Sequence, residues 1–276
     1  MEKIRAILDQ ADVLPPSPSL LPKLLPYLGD VNANFDEVVK LIAMDQTLTA
    51  KLLQICNSAF FGQDEPVSTV SEAVNRVGYQ SVYLLTAMIS GSNSFPVTSP
   101  GSVDPARLWK HTVATAFNTK FVAESAWLDG NLLLTAGLMH DIGKLILAQV
   151  NSPMNGHSFN LPSSSGALAA ELAAFDCNHA EVGAVLLEKW NLPQALVACV
   201  RHHHHPAGAG EFQKYAACVA VGNMVAHSPG HPQITDSAEF TAAMAILQFD
   251  ASHLKRWQEQ FHESRDLIDG MSRLSA

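Results

Sequence analysis

NLLLTAGLMHDIGKLILAQV, residues 131–150, sets a histidine beside an aspartate in the middle of an otherwise apolar stretch with helical period. Burying two such polar groups without partners costs several kcal/mol, so something nearby has to satisfy His140 and Asp141. A cation would do so. A hydrogen-bonded network would do so equally well, made with another histidine or with the ammonium of Lys144, one helical turn beyond His140. The period predicts one continuous helix through the stretch.

Outward from this pair, ligand-type residues recur at His111, at His179 and at His203–His204 within RHHHHP, residues 201–206. Together with His140 and Asp141 they fall on four different predicted helices. Side chains converging from several helices are how bundles build metal sites, and neutral imidazole plus carboxylate suits first-row ions such as iron, manganese or zinc. The two oxygens of Asp141 could bridge two ions. Such ions could clamp a phosphate and lower the pKa of a bound water, with Lys144 adding positive charge near the phosphate. Each histidine also has a plainer reading. One histidine in an amphipathic helix is more often capped or solvent-facing, and four at a helix end favour the negative end of its dipole.

The rest of the chain reads as helix. NFDEVVKLIAMD opens with Asn34 as an N-cap and carries a Val38, Leu41, Ile42 stripe, and Asp45 can cap QTLTAKLLQIC. Thr69 and Glu72 have capping-box spacing before AVNRV, and Gly78 fits its stop. Asp104 and Pro105 suit the N-cap and first position of a helix through ARLWKHTVATAFNTKFVAES. Asn178 and Glu181 form another capping box that places His179 in a first helical turn. Pro193 starts LPQALVACVRHHHH, and EFQKYAACVAVGNMVAH makes a further helix. GSNSFPVTSPGSVDP, rich in Gly, Ser and Pro, reads as a linker, and NSPMNGHSFNLPSSSG as a second loop. The expected fold is all-α in two lobes: residues 1–90 an N-terminal helical lobe, 91–105 a linker, 106–235 a second helical lobe, and 236–276 helices packed on that second lobe.

The chain has 276 residues, 47% of them hydrophobic, enough for one large core or two smaller ones. Seventeen basic residues against 26 acidic ones give a formal net charge of −9, with no basic run to neutralise a phosphate backbone, so direct nucleic-acid binding is not expected. MEKIRAILDQ lacks a signal peptide's apolar region, and no apolar run approaches the roughly 20 residues of a membrane span. A cytoplasmic protein with no membrane partner is expected. Cys56, Cys177, Cys199 and Cys218 lack CxxC spacing and lie in apolar helical patterns, which suits reduced, buried thiols.

LPPSPSLLPKLL, DQTLTAKLLQICNSAFFG and VSTVSEAVNRVG in the first part, with LWKHTVATA, AGLMHDIGKLIL, HAEVGAVLLEKWNLP and VRHHHHP in the second, resemble the HDOD family. This HD-related output domain of bacterial signalling is a branch of the HD superfamily of metal-dependent phosphohydrolases, and the likeness runs from about Leu14 to His227. In NSAFFG, Asn57 and Ser58 can stop a helix through side-chain bonds to the backbone while Phe60 and Phe61 anchor the loop in the core.

The resemblance gives the second lobe an HD-like character and implies metal-ligand roles for His111, His140, Asp141, His179, His203 and His204, held with one or two divalent ions. It leaves His202 and His205 outside the set. The sequence departs from the superfamily twice. Asn223 stands where a final metal-binding aspartate belongs, bringing an amide oxygen and no charge. HHHHPAGAG lacks the acidic residue and Gly-Tyr-Pro segment of the HD-GYP cyclic-dinucleotide phosphodiesterases. The expected function is a non-catalytic signalling module with a degenerate metal site, working through signalling-protein partners. The alternative is a metal-dependent phosphohydrolase acting on a phosphate-containing ligand, with Asp141 and Lys144 as its catalytic groups.

Overall fold

The computed structural model describes residues 2–10, 35–43, 49, 52–53, 56–57, 67–77, 82, 105–150, 167–189, 192–227, 237–250 and 252–260. All regular structure among them is helical. The elements are α1 (Glu2–Gln10), α2 (Phe35–Ala43), α3 (Val70–Val77), α4 (Pro105–Ser125), α5 (Gly130–Met139), α6 (Ile142–Val150), α7 (Ala167–Phe175), α8 (His179–Lys189), α9 (Gln194–His202), a 3-10 turn (Pro206–Phe212), α10 (Gln213–His227) and α11 (Ala238–Leu247). A further helical segment covers 252–260. The expected caps at Asn34, Asp45, Gly78 and Asp104, most of the linker, the loop before α7 and the Ser58–Phe61 part of NSAFFG lie outside the described residues.

Both predicted capping boxes form. Thr69 Oγ1 accepts from the Glu72 N–H at 3.2 Å, and Glu72 Oε2 accepts in return from the Ser68 and Thr69 amides at 2.6 and 3.3 Å. Asn178 Oδ1 accepts from the Glu181 N–H, and Glu181 Oε2 from the Asn178 N–H, each at 3.0 Å. Two orphan donors at each helix start are thereby satisfied. Asn57 does more than end a helix: its side-chain amide donates to the Val67 carbonyl at 2.8 Å and accepts from the Val67 N–H at 2.6 Å, tying the chain at 57 to the chain at 67.

The bundle is organised around α4, which packs on α5 and α10, while α10 in turn carries α11. Small side chains permit this closeness. A Cβ on Gly222 of α10 would stand 2.7 Å from the Thr119 amide nitrogen and 3.0 Å from its Cα, so only glycine lets these two backbones meet. On the other side, α8 packs on α9 and α6. The largest apolar cluster unites Val38 and Ile42 of α2, Val70 and Ala73 of α3, Phe117 of α4, Leu133 and Leu134 of α5, Val219 of α10 and Trp257. Helix α1, although first in the chain, packs on α6 and α8, where Ile4, Ile7 and Leu8 meet Ile146, Leu147, Val182 and Leu186 in a second cluster. Among the described residues no helix is long and apolar enough to cross a membrane. All four cysteines are unpaired and buried.

Candidate metal centre

The HD pair corrects one sequence expectation. The stretch 131–150 is two helices, and His140 and Asp141 form the turn between α5 and α6. His140 Nδ1 donates to the Gly137 carbonyl at 2.7 Å, a group that in a continuous helix would serve the Asp141 N–H. The side chain thus competes with the backbone and the chain turns, leaving Asp141 just before the first residue of α6.

Gly143, two residues on, lets α6 start directly against α8. A Cβ there would lie 2.0 Å from the His179 carbonyl oxygen and 2.8 Å from the Gly183 nitrogen. The glycines of HDIGK and HAEVG are therefore the contact that brings His179 to Asp141.

Four of the candidate histidines converge on the Asp141 carboxylate, and His204 joins them through His179. On the Oδ2 side stand His140 Nε2 at 3.2 Å and His111 Nε2 at 3.5 Å, themselves 3.3 Å apart. On the Oδ1 side stand His179 Nε2 at 3.2 Å and His203 Nε2 at 3.9 Å. His179 Nε2 lies 3.4 Å from His203 Nε2 and 3.1 Å from His204 Nε2. Two trios capable of holding an ion result: His111, His140 and Asp141, and His179, His203 and His204. Lys144 donates to Asp141 Oδ2 at 2.6 Å.

Asn223 belongs to neither trio. It is buried on α10 one turn before His227, whose ring lies 4.1 Å from that of His111, and its Oδ1 has no hydrogen-bond partner. His205 is exposed and His202 half-buried, in keeping with their place outside the expected ligand set.

Three imidazoles have their tautomer set by a bond at Nδ1. His140 donates to Gly137 as above, His203 to the Val200 carbonyl at 2.7 Å, and His179 to Glu171 Oε2 at 2.7 Å. Each thereby turns its Nε2 toward the shared centre, to carry a proton beside Asp141 or to offer a metal its lone pair, the orientation that metal-ligating histidines adopt. Glu171 is the residue the sequence reading missed. It is 2% exposed and also accepts from the His179 backbone N–H at 2.9 Å. Its signal was a single carboxylate within ALAAELAAF. Thr115, whose Oγ1 lies 3.4 Å from His111 Nε2, and His227 were missed as well.

Burial pushes the Asp141 carboxyl up, but the His140 and Lys144 charges and hydrogen bonds from His140 and His179 win, holding it well below the usual carboxylate range. Burial pushes His111 and His203 well below the ordinary imidazole value, and His204 down to about 3. These rings are therefore neutral near pH 7, as ligation requires. His179 goes the other way: burial opposes its charge, yet hydrogen bonds to Asp141 and Glu171 raise its pKa. The place between two buried carboxylates attracts positive charge, whether a proton on His179 or a cation beside it. Donor types, lone-pair directions and charge all fit a first-row divalent ion.

An all-helical bundle with histidines from α4, from the start of α8 and from just beyond α9 gathered on an HD pair between α5 and α6 defines the HD class of fold. The chain matches the HDOD domain over residues 14–206 and belongs to that family. An uncharacterized protein of Treponema pallidum is 27% identical over 227 residues, which make up 79% of this chain and 43% of that protein. Ribonuclease Y of Deinococcus radiodurans is 27% identical over 122 residues, 44% of this chain and 17% of that enzyme. The chain thus spans less than half the length of these curated relatives. Among solved structures, a Shewanella amazonensis protein named as a candidate phosphohydrolase has a TM-score of 0.69 at 22% identity, covering 98% of both chains. An HDOD domain protein of unknown function from Geobacter sulfurreducens has a TM-score of 0.68 at 21% identity, covering 98% of this chain and 97% of that one. At these identities the likeness is one of fold.

Proposed function

We propose that the protein is a signalling output module of HDOD type whose metal centre is structural or regulatory and does not hydrolyse phosphodiesters. The observation that carries this reading is the engagement of Lys144. Its ammonium is tied to Asp141 Oδ2 at 2.6 Å, where a catalytic arrangement would offer it to a phosphate. Asn223 supports it by bringing no negative charge to a centre that would have to neutralise two ions. His111, His140, Asp141, His179, His203 and His204 would hold divalent metal, which when bound supplies Lewis acidity. With or without it, the imidazoles and the Asp141 carboxylate hold α4, α5, α6, α8 and α9 in register.

Residues 1–90 and 106–235 would act as two lobes joined over 91–105, with 236–276 on the second. A shared surface of this kind suits cytoplasmic protein partners. The acid-rich chain argues against RNA as a ligand, whatever the activity of ribonuclease Y.

The second reading, a metal-dependent phosphohydrolase, is favoured by the two trios flanking one carboxylate. Asp141 and Lys144 would be its reacting-centre groups. Assays of cyclic dinucleotides, linear dinucleotides and nucleotides with Mn²⁺, Fe²⁺ or Mg²⁺ separate the two readings. No turnover is expected. Metal-dependent turnover lost in a folded Asp141→Ala variant would put the hydrolase first.

A further inference from the structure

We propose that the two cation positions around Asp141 are unequal: one divalent ion is held by His179, His203, His204 and Asp141 Oδ1, Glu171 is the positioning residue that fixes His179 for it, and the Lys144 ammonium stands in for a second ion on Oδ2. This rests on reading the cluster as a metal centre.

The first argument is donor count and spacing. A tetrahedral ion with bonds of about 2.0–2.1 Å sets its ligand atoms about 3.3–3.4 Å apart, whereas octahedral neighbours at that bond length stand about 3.0 Å apart. The four measured separations on the His179 side are 3.1, 3.2, 3.4 and 3.9 Å. Three nitrogens thus stand within reach of one ion, with Asp141 Oδ1 beside two of them as a fourth donor. The His111 side offers only three donors with similar spacing, and one of them is the oxygen already bonded to Lys144.

Charge gives the second argument. Asp141 Oδ1 is buried and faces only imidazole nitrogens, His179 Nε2 at 3.2 Å and His203 Nε2 at 3.9 Å. Oδ2, by contrast, has an ammonium at 2.6 Å, so a dication placed beside it would meet a cation already in position. Among the described residues the buried carboxylates are Asp141 and Glu171, and Glu171 stands behind His179. On the His111 side the nearest counterpart in the family pattern is the neutral Asn223.

Glu171 contributes through His179 alone. Its Oε2 accepts both the backbone N–H and the ring Nδ1–H of that residue, at 2.9 and 2.7 Å. These two hydrogen bonds fix ring rotation and tautomer together and raise the basicity of Nε2. Loss of such a partner typically weakens a metal site by about 10–100-fold.

The test is equilibrium dialysis of Co²⁺ into the full chain, prepared without a histidine tag and stripped with chelator, read by stoichiometry and by visible absorption. One tight equivalent with the intense spectrum of four-coordinate Co²⁺ is expected. His204→Ala, at a half-buried helix end, should lose that equivalent, and His111→Ala should keep it. Glu171→Gln should weaken it about 10–100-fold without changing the melting temperature in the absence of metal, a split that a merely structural role would not give. Lys144→Met should admit a second equivalent.

Two equivalents of equal affinity in the wild type, loss in His111→Ala with retention in His204→Ala, or an unchanged affinity in Glu171→Gln would overturn the proposal. Absence of any Co²⁺, Zn²⁺, Mn²⁺ or Fe²⁺ binding by a chain folded by circular dichroism would overturn the metal reading with it. Phosphodiester turnover with one equivalent bound would instead overturn the signalling reading alone.

Discussion

Gly143 and His179 meet backbone to backbone: a Cβ on Gly143 would stand 2.0 Å from the His179 carbonyl oxygen. No side-chain rotation relieves such a contact, since both sides are main chain. Gly143→Ala must therefore push α6 away from α8, at a cost of about 3 kcal/mol or more. Urea denaturation should show that loss, and the folded fraction should bind metal more weakly, because the shift separates His179 from Asp141.

Removing the central carboxylate should be costly in its own right. Asp141→Ala leaves the Lys144 ammonium and the surrounding imidazoles without their shared acceptor in a site where Asp141 itself is 2% exposed. Breaking a buried pair in this way costs about 3–5 kcal/mol. The urea midpoint should fall accordingly, and Asp141→Ala combined with Lys144→Met should recover part of the loss.

Asn178→Ala removes the acceptor for the Glu181 N–H at the start of α8. The expected cost is about 1 kcal/mol, as for other N-caps. Because His179 is the next residue, the same substitution should also reduce metal affinity. Thermal melting and dialysis measured on one preparation check both effects.

The buried thiols predict a one-sided pH response. Burial pushes Cys56 and Cys199 up to about 12, against about 8.5 in an unfolded chain. Above roughly pH 8.5 the unfolded state has released protons that the folded state retains, so stability is complete below that pH and falls as pH rises towards the folded values. The fall is at most about 1.4 kcal/mol per pH unit for each thiol. Denaturation between pH 8 and pH 10.5 should show it, with a shallower slope in Cys199→Ala. An identical slope in the variant would mean that this thiol does not titrate on unfolding.

His140 and Asp141 were legible in the sequence because a polar pair inside an apolar helical pattern needs partners, whereas His111, His179, His203 and His204 drew a ligand reading only as a set and through the resemblance, each alone reading as a capped or solvent-facing ring. The capping boxes at Thr69 and Asn178 were legible for a similar reason, being local chemistry at fixed spacing. The break after Met139 was not. It depends on the His140 side chain taking the Gly137 carbonyl, and composition favours helix on both sides. Glu171 was not legible either, since a lone carboxylate among alanines and leucines reads as a solvated residue until the fold buries it behind His179. Asn223, at the place of the last metal-binding aspartate in the family pattern, lies on α10, buried and outside both trios.

Helix α1 has a hold on the histidine–aspartate cluster. Its Ile4, Ile7 and Leu8 clasp α6 and α8, the two helices whose first residues directly follow Asp141 and begin with His179. Lys3 with Asp176, and Lys189 with Asp9 at 3.4 Å, fasten it at the rim. Whatever displaces residues 2–10 therefore bears on α6 and α8 together, and through them on the places of Asp141 and His179.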